Sequence, residues 1–163
     1  MLTRTLMASE TAALYDLIMA VYSHNDFMSQ TFAERYPDIG VFEREMVGAL
    51  VLVAEENQFL LGYLMISAHL PARLRHTAEL TMGVAPAAQG RGVGRRLLEN
   101  AFAILRERGE IEILYLHVRA DNTAAVRLYE SVGFERLCVL DRDTKIGDNY
   151  FDAILMRKLF VCG

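Results

Sequence analysis

Apolar positions along this chain follow two rhythms, and their order sketches an architecture. Leu2 to Met7 reads as a short strand. From Ala8 to Val21 the set Leu14, Leu17, Ile18 and Val21 recurs at helical spacing, with Ser9 as N-cap and acidic Glu10 behind it. Gln30 to Val47 is more weakly helical, interrupted by Pro37 and Gly40. Ala49 to Glu55 and Phe59 to Ala68 read as strands joined at Glu56-Asn57, and Thr77 to Val84 as a third. Arg95 to Arg108 carries the stripe Leu97, Leu98, Ala101, Phe102, Ile104 and Leu105 and stops at Gly109. Ile111 to Val118 is an apolar strand. Asn122 can cap a helix whose Ala125, Leu128, Tyr129 and Val132 share a face, ended by Gly133. Phe134 to Leu140 and Tyr150 to Phe160 close the chain as strands. An antiparallel meander followed by β-α-β-α-β-β predicts an α/β (α+β sandwich) fold, with a mixed, mostly antiparallel central sheet of about seven strands flanked by about four helices.

Size and composition leave this picture intact and narrow its uses. The 163 residues, 53% hydrophobic and 23% charged, suit one domain spanning 1–163. No apolar run approaches the roughly 18 residues of a membrane span, and the N-terminal residues show no signal peptide. Cys138 and Cys162 lack CxxC spacing or nearby histidines, which argues against a disulfide framework and fits a cytoplasmic setting. His24 and His69 have no companion at metal-ligand spacing, so no metal is expected. The net charge of −4 is uneven, with nine acids against three arginines in residues 1–70 and a slight basic excess beyond. Nucleic acid, which demands a broad basic face, is a poor partner, and a small anion held by the second half is a better one.

The most informative segment is Val84-Ala85-Pro86-Ala87-Ala88-Gln89-Gly90-Arg91-Gly92-Val93-Gly94-Arg95-Arg96, a strand running through three glycines into a helix. Glycines admit unusual backbone angles, and a helix start offers free amides to a phosphate. The segment lacks the Gly-Lys-Ser/Thr of a Walker loop, and Arg95 stands where a dinucleotide fingerprint needs glycine. A glycine-rich turn with solvated arginines remains the alternative. A Ser-His-Asp hydrolase has no Gly-x-Ser-x-Gly elbow here.

This loop resembles the Gln/Arg-x-x-Gly-x-Gly/Ala pyrophosphate loop of the GNAT acetyltransferase superfamily. The run from Leu116 to Phe134, with His117, Asn122 and Tyr129 inside it, resembles that family's second signature, especially in ribosomal-protein and other protein N-terminal acetyltransferases. The resemblance implies an acetyl-CoA-dependent N-acetyltransferase working by direct attack, with acetyl-CoA in a V-shaped gap between the Thr77 strand and the next. The main chain of Met82, Gly83 and Val84 would pair with the pantetheine arm. Gln89, Gly90, Arg91, Gly92, Val93, Gly94 and Arg95 would hold the pyrophosphate, and Asn122 would touch the cofactor further along.

Acetyl transfer to an amine requires removing a proton from the ammonium and supplying one to the departing thiolate. Tyr129 stands where many relatives carry the proton donor, against the alternative of a core tyrosine. His117, twelve residues earlier, is a candidate base, against a histidine packed on a helix. Glu79 and His76 on the adjoining strand could serve instead, although a solvated or salt-bridged role for Glu79 competes. In a period-2 strand Glu79, Thr81 and Gly83 share one face, opposite Leu80, Met82 and Val84.

The acceptor would be a small-molecule or peptide amine. Deprotonating a lysine at pH 7 costs about 4.6 kcal/mol against about 1 for an α-amine, so a mild base leans toward α-amines. The resemblance locates acceptor choice in Tyr22 to Glu45 and Asp141 to Tyr150, whose acids would steer cations. It also raises a homodimer, with the apolar stretch Ala153 to Val161 as a pairing edge. A non-catalytic acyl-CoA-binding module is the competing class of function.

Overall fold

The computed structural model describes residues 1–160. Seven strands form one sheet in the order β1-β2-β3-β4-β5-β7-β6: β1 Leu2–Thr5, β2 Leu50–Glu56, β3 Phe59–Ala68, β4 Thr77–Val84, β5 Ile113–Arg119, β6 Glu135–Ile146 and β7 Asn149–Leu159. Every neighbouring pair is antiparallel except β4 with β5. The mixed, mostly antiparallel sheet is the expected one. Five helices flank it: α1 Thr11–Ser23, α2 Phe32–Arg35, α3 Ile39–Met46, α4 Val93–Arg108 and α5 Thr123–Ser131.

Both faces of the central strands are covered, so β2 and β3 read as continuous apolar runs whose alternate residues enter different cores. Leu52, Leu64 and Ile66 join Leu97, Leu98 and Phe102 of α4 on one face. Val51, Val53, Tyr63 and Met65 meet Leu14 and Ile18 of α1 and Phe42 of α3 on the other. Each such leucine contributes about 1.5–3 kcal/mol by leaving water.

Several boundaries differ from the sequence reading. The first helix begins as a 3-10 turn over Ala8–Glu10, and Ser9 caps nothing. Instead the Glu10 carboxylate accepts from the Met7 amide at 2.9 Å and from the Arg4 guanidinium. The Gln30–Val47 stretch is two helices, each with its own start signal: the Thr31 hydroxyl accepts from the Glu34 amide, and Asp38 accepts from the Val41 amide. Pro37 lies between them, while Gly40 sits inside α3. The β2–β3 turn falls at Asn57 and Gln58, with φ of 51° and 68°, the left-handed pair of a tight hairpin.

Most of the Asp141–Tyr150 segment is strand. β6 runs to Ile146, and three of its residues, 141–143, stand opposite Asp152 alone, with Arg142 at φ 54°. The alternation signal breaks there because the strand bulges. The Ala153 stretch cannot be a dimer edge as expected, because β7 pairs with β5 on one side and β6 on the other. The free edge on that side of the sheet is β6. Val161 and Cys162 lie outside the described residues.

Candidate active site

The parallel pair at the sheet centre is short. β4 and β5 are in register only from Thr77–Ile113 to Glu79–Tyr115, yet β4 continues to Val84 and β5 to Arg119. Beyond Glu79 the strands part, which leaves a gap lined on one side by β4 main chain that has β3 as its only strand partner. Alternate backbone groups of a strand point to each side. The bonds Ala85 N to Leu61 O and His69 N to Thr77 O turn the odd-numbered residues, Gly83 among them, toward β3, so Met82 and Val84 are the ones whose groups face the gap, contrary to the expectation for Gly83. Burial follows the predicted two-face pattern: Met82 and Val84 pack on the α4 side, and Gly83 lies under the Tyr63 ring on the α1 side, where a Cβ would come within 2.6 Å of it.

The gap opens onto the glycine loop. Gly90 and Gly92 adopt φ of 73° and 78°, angles an L-residue takes only at a cost, and they turn the chain so that Gly92 caps α4. The helix therefore starts at Val93, two residues before the apolar stripe suggests. No backbone carbonyl among the described residues accepts from the amides of Gly90 through Arg95, and Arg96 makes the first helical bond, to Gly92, at 3.2 Å. These amides and the positive end of a sixteen-residue helix form a cradle suited to a pyrophosphate. Val93 contributes backbone only, since its side chain is buried. Gly94 allows close packing: a Cβ there would meet Met82 at 2.8 Å and Leu128 at 3.0 Å.

The loop's polar side chains face protein partners. Arg91 bonds Glu56 at 2.5 Å, which lowers the Glu56 carboxyl below the ordinary range. Arg95 donates to Ser131 at 2.7 Å, Arg96 to the Met1 carbonyl, and Gln89 to the Val84 carbonyl at 3.5 Å. Asn122 caps α5, its oxygen accepting from the Ala125 amide at 3.2 Å, so its side-chain NH₂ is the part left to meet a ligand.

Glu79 and His117 meet where the strands separate. Glu79 Oε1 and His117 Nδ1 are 3.1 Å apart, and both side chains are half exposed. A carboxylate can only accept, so Nδ1 is the donor, and Nε2 is the ring nitrogen without a protein partner among the described residues. His117 is half exposed rather than packed against a helix, and the Glu79 carboxylate is hydrogen-bonded to its ring. No side-chain bond brings His76 to the pair, and its carbonyl is taken by the amides of Glu112 and Ile113.

Tyr129 lies on the opposite side of the sheet, 9% exposed and edge-on to Phe134 with ring centroids 5.7 Å apart. Burial pushes its hydroxyl well above the ordinary tyrosine range. Buried Tyr63 is also shifted upward, by desolvation first and then by neighbours that include Tyr129. No fully buried side-chain polar atom among the described residues lacks a partner. The structure brings Glu79 to His117 and does not bond either to Tyr129.

Sequence reasoning missed Arg119. It follows His117 on the same strand face and is 7% exposed. Its signal was an arginine in the last position of a buried strand with Asp121 two residues on.

Comparison with known proteins bears on the family and the fold. The model of the acetyltransferase (GNAT) family matches residues 11–134, and the chain belongs to that family. The N-alpha-acetyltransferase RimI of Mycobacterium tuberculosis is 45% identical over 78 residues, covering 48% of this chain and 46% of that relative. An L-methionine sulfoximine/L-methionine sulfone acetyltransferase of Salmonella typhimurium is 35% identical over 92 residues, 56% of this chain and 53% of the relative. The chain thus spans about half the length of these curated relatives. Among solved structures, the ribosomal-protein-alanine N-acetyltransferase of Brucella melitensis superposes with a TM-score of 0.81 at 27% identity, covering 98% of this chain and all of that one. No helix among the described residues is long and apolar enough to cross a membrane.

Proposed function

We propose that this chain is an acetyl-CoA-dependent N-acetyltransferase that transfers the acetyl group to a primary amine by direct attack in a ternary complex, in the cytoplasm. The carrying observation is the opened β4–β5 gap, which joins a row of unpaired amides at one end to the Glu79–His117 pair at its side. The residues fit the cofactor. The amides from Gly90 to Arg95 would hold its pyrophosphate, the main chain of Met82 and Val84 its extended arm, and Asn122 would donate to it beyond.

When bound, acetyl-CoA supplies an activated acyl carbon and a thiolate leaving group. The chain supplies the protons and the placement. The amine enters on the α1 face, where Glu79 and His117 are exposed. His117 Nε2 takes the ammonium proton, while Glu79 holds Nδ1–H and stabilises the imidazolium that results. Tyr129, kept protonated by burial, delivers its proton to the sulfur as the thioester bond breaks. The acceptor class supported by the relatives runs from protein N-terminal amines to amino-acid analogues. Both present α-amines, which a histidine base suits.

The test begins with thermal unfolding at fixed salt, alone and with acetyl-CoA or free CoA. Both ligands are expected to raise the midpoint through binding to the folded state; no rise at saturation sinks the reading. Thiol release is then followed with L-methionine sulfone and with a peptide bearing N-terminal alanine. His117→Ala and Glu79→Gln are each expected to slow turnover at unchanged midpoint rise, His117→Ala by about 10²–10⁴-fold, the value of a positioned base. Tight cofactor binding without transfer to any amine would instead favour a non-catalytic acyl-CoA-binding module.

A further inference from the structure

Two residues past His117 on the same face of β5, Arg119 is a charged side chain almost wholly withdrawn from water. Burying a guanidinium is costly unless its donors are satisfied, and here one partner is local and the other 93 residues away. Nε and Nη2 fork onto the Asp121 carboxylate at 2.9 and 2.5 Å, and Nη1 donates to the Asp26 carbonyl at 2.5 Å. The planar group lies over the Phe151 ring of β7 at 3.8 Å and beside the Phe27 ring at 5.2 Å. Asp26 and Phe27 belong to the segment between α1 and α2, which has no regular structure. Its polar tie to the sheet among the described residues is this one side chain with the ring beside it, while Met28 packs next to them against the α1-side core.

We propose that Arg119 is a positioning residue that pins the Asp26–Phe27 segment against β5 and β7 and so builds the wall of the acceptor cleft beside His117. The inference rests on the transferase reading given above for what that wall contacts. The alternative role for an arginine so near the base, as receptor for a carboxylate on the acceptor, does not fit the geometry, because its Nε–Nη2 fork is taken by Asp121, Nη1 donates to Asp26, and the group is covered by Phe151 and Phe27. Asp121, held below the ordinary carboxyl range by its hydrogen bonds to Arg119, is the standing counter-ion. With the wall unpinned, only a fraction of molecules would be competent to receive the amine. An acceptor's apparent affinity falls by that fraction, while chemistry in the occupied complex is little changed.

The test uses the full chain with Arg119→Lys, which keeps the charge but loses the planar fork, and Phe27→Ala, which removes the stacked ring without touching any charge. Amide hydrogen exchange over residues 25–31 is expected to quicken about tenfold or more in both variants as local opening becomes easier. With whichever of L-methionine sulfone and the N-terminal-alanine peptide the wild type accepts, acceptor KM should rise about tenfold, the worth of one charge-assisted contact, at nearly constant kcat. The acetyl-CoA midpoint rise should be retained, and Phe27→Tyr, which restores the ring face, should restore KM. Unchanged exchange in both variants would overturn the proposal. So would a KM rise confined to the carboxylate-bearing sulfone in Arg119→Lys, which would mark Arg119 as an acceptor contact. Absence of wild-type transfer to either probe is a failure of the transferase reading alone, and the exchange measurement then decides whether Arg119 pins the segment.

Discussion

The two layers that cover the sheet are built differently. On the α4–α5 side, a sixteen-residue helix and a nine-residue one lay mainly aliphatic stripes on the sheet, with Phe102 and Tyr129 as their aromatic members. On the α1–α3 side, two of three helices have four and eight residues, and the contacts among the helices are aromatic above an aliphatic base. Tyr15, Phe32, Tyr36 and Phe42 meet edge-on with ring centroids 5.0 to 5.5 Å apart, and Arg35 bridges the Tyr36 hydroxyl and the Glu45 carboxylate. The first layer presents backbone amides in a fixed frame, which suits a ligand that is always the same. The second presents side chains on short helices and connections, which suits a partner that differs from one relative to the next.

If that division holds, changes on the two sides should separate cleanly. The largest effect is expected from Tyr129→Phe, which removes a proton donor from the α5 side without breaking a hydrogen bond. Its kcat should fall by about 10²–10⁴, with the unfolding midpoint and its rise with acetyl-CoA preserved. Equal turnover would remove Tyr129 from the mechanism and leave it a core residue. Next, Phe42→Ala empties a fully buried site in the aromatic layer and should cost about 3–5 kcal/mol by chemical denaturation. The surviving folded fraction should still gain stability from acetyl-CoA, and loss of that gain would show that the layers are coupled.

Gly92→Val tests the other layer. The substitution forces a β-branched residue to a φ of 78°, at about 1–2 kcal/mol, and should abolish the acetyl-CoA midpoint rise because the amides that follow are re-aimed. A retained rise would mean that the loop is only a turn. The smallest effect concerns an ion pair at the edge of the α1 layer. Glu10, hydrogen-bonded to Arg4 and to the Met7 amide, is lowered from 4.5 to about 2. A depressed carboxyl stabilises the fold fully above its unfolded value, and that share is lost as pH falls from about 4.5 toward about 2. Midpoints of wild type and Glu10→Gln, compared from pH 6 down to pH 2, should therefore differ most at the upper end and converge at the lower.

The same asymmetry governs what could be read from the residues. The glycine loop, α4 and α5 were legible because their signals are local: positive-φ glycines, an apolar stripe, a capping asparagine. So was the alternation that turns Glu79 away from Leu80. What could not be read depends on meetings between distant segments. The 3.1 Å contact of Glu79 with His117 joins residues 38 apart, and the hold of Arg119 on Asp26 joins residues 93 apart. The break of Gln30–Val47 into two helices was visible only as a weak pattern with Pro37 in it. The length of β6 was hidden because its outer residues are solvated and its bulge scrambles the alternation that marks a strand.

That bulge bears on how the protein behaves in a crowded solution. An uninterrupted row of free amides and carbonyls along a twelve-residue edge would be a template on which other chains could stack. Here three residues stand opposite one, Arg142 leaves the extended region and its guanidinium covers Tyr150 at 3.8 Å. A second, one-residue bulge at Leu137 leaves the outer strand only three short, misaligned runs, so exposed Leu137 and Val139 sit on a border poorly shaped for growth into fibrils. Straightening that border by deleting two residues from 141–143 would be expected to yield a chain that folds but precipitates on concentration.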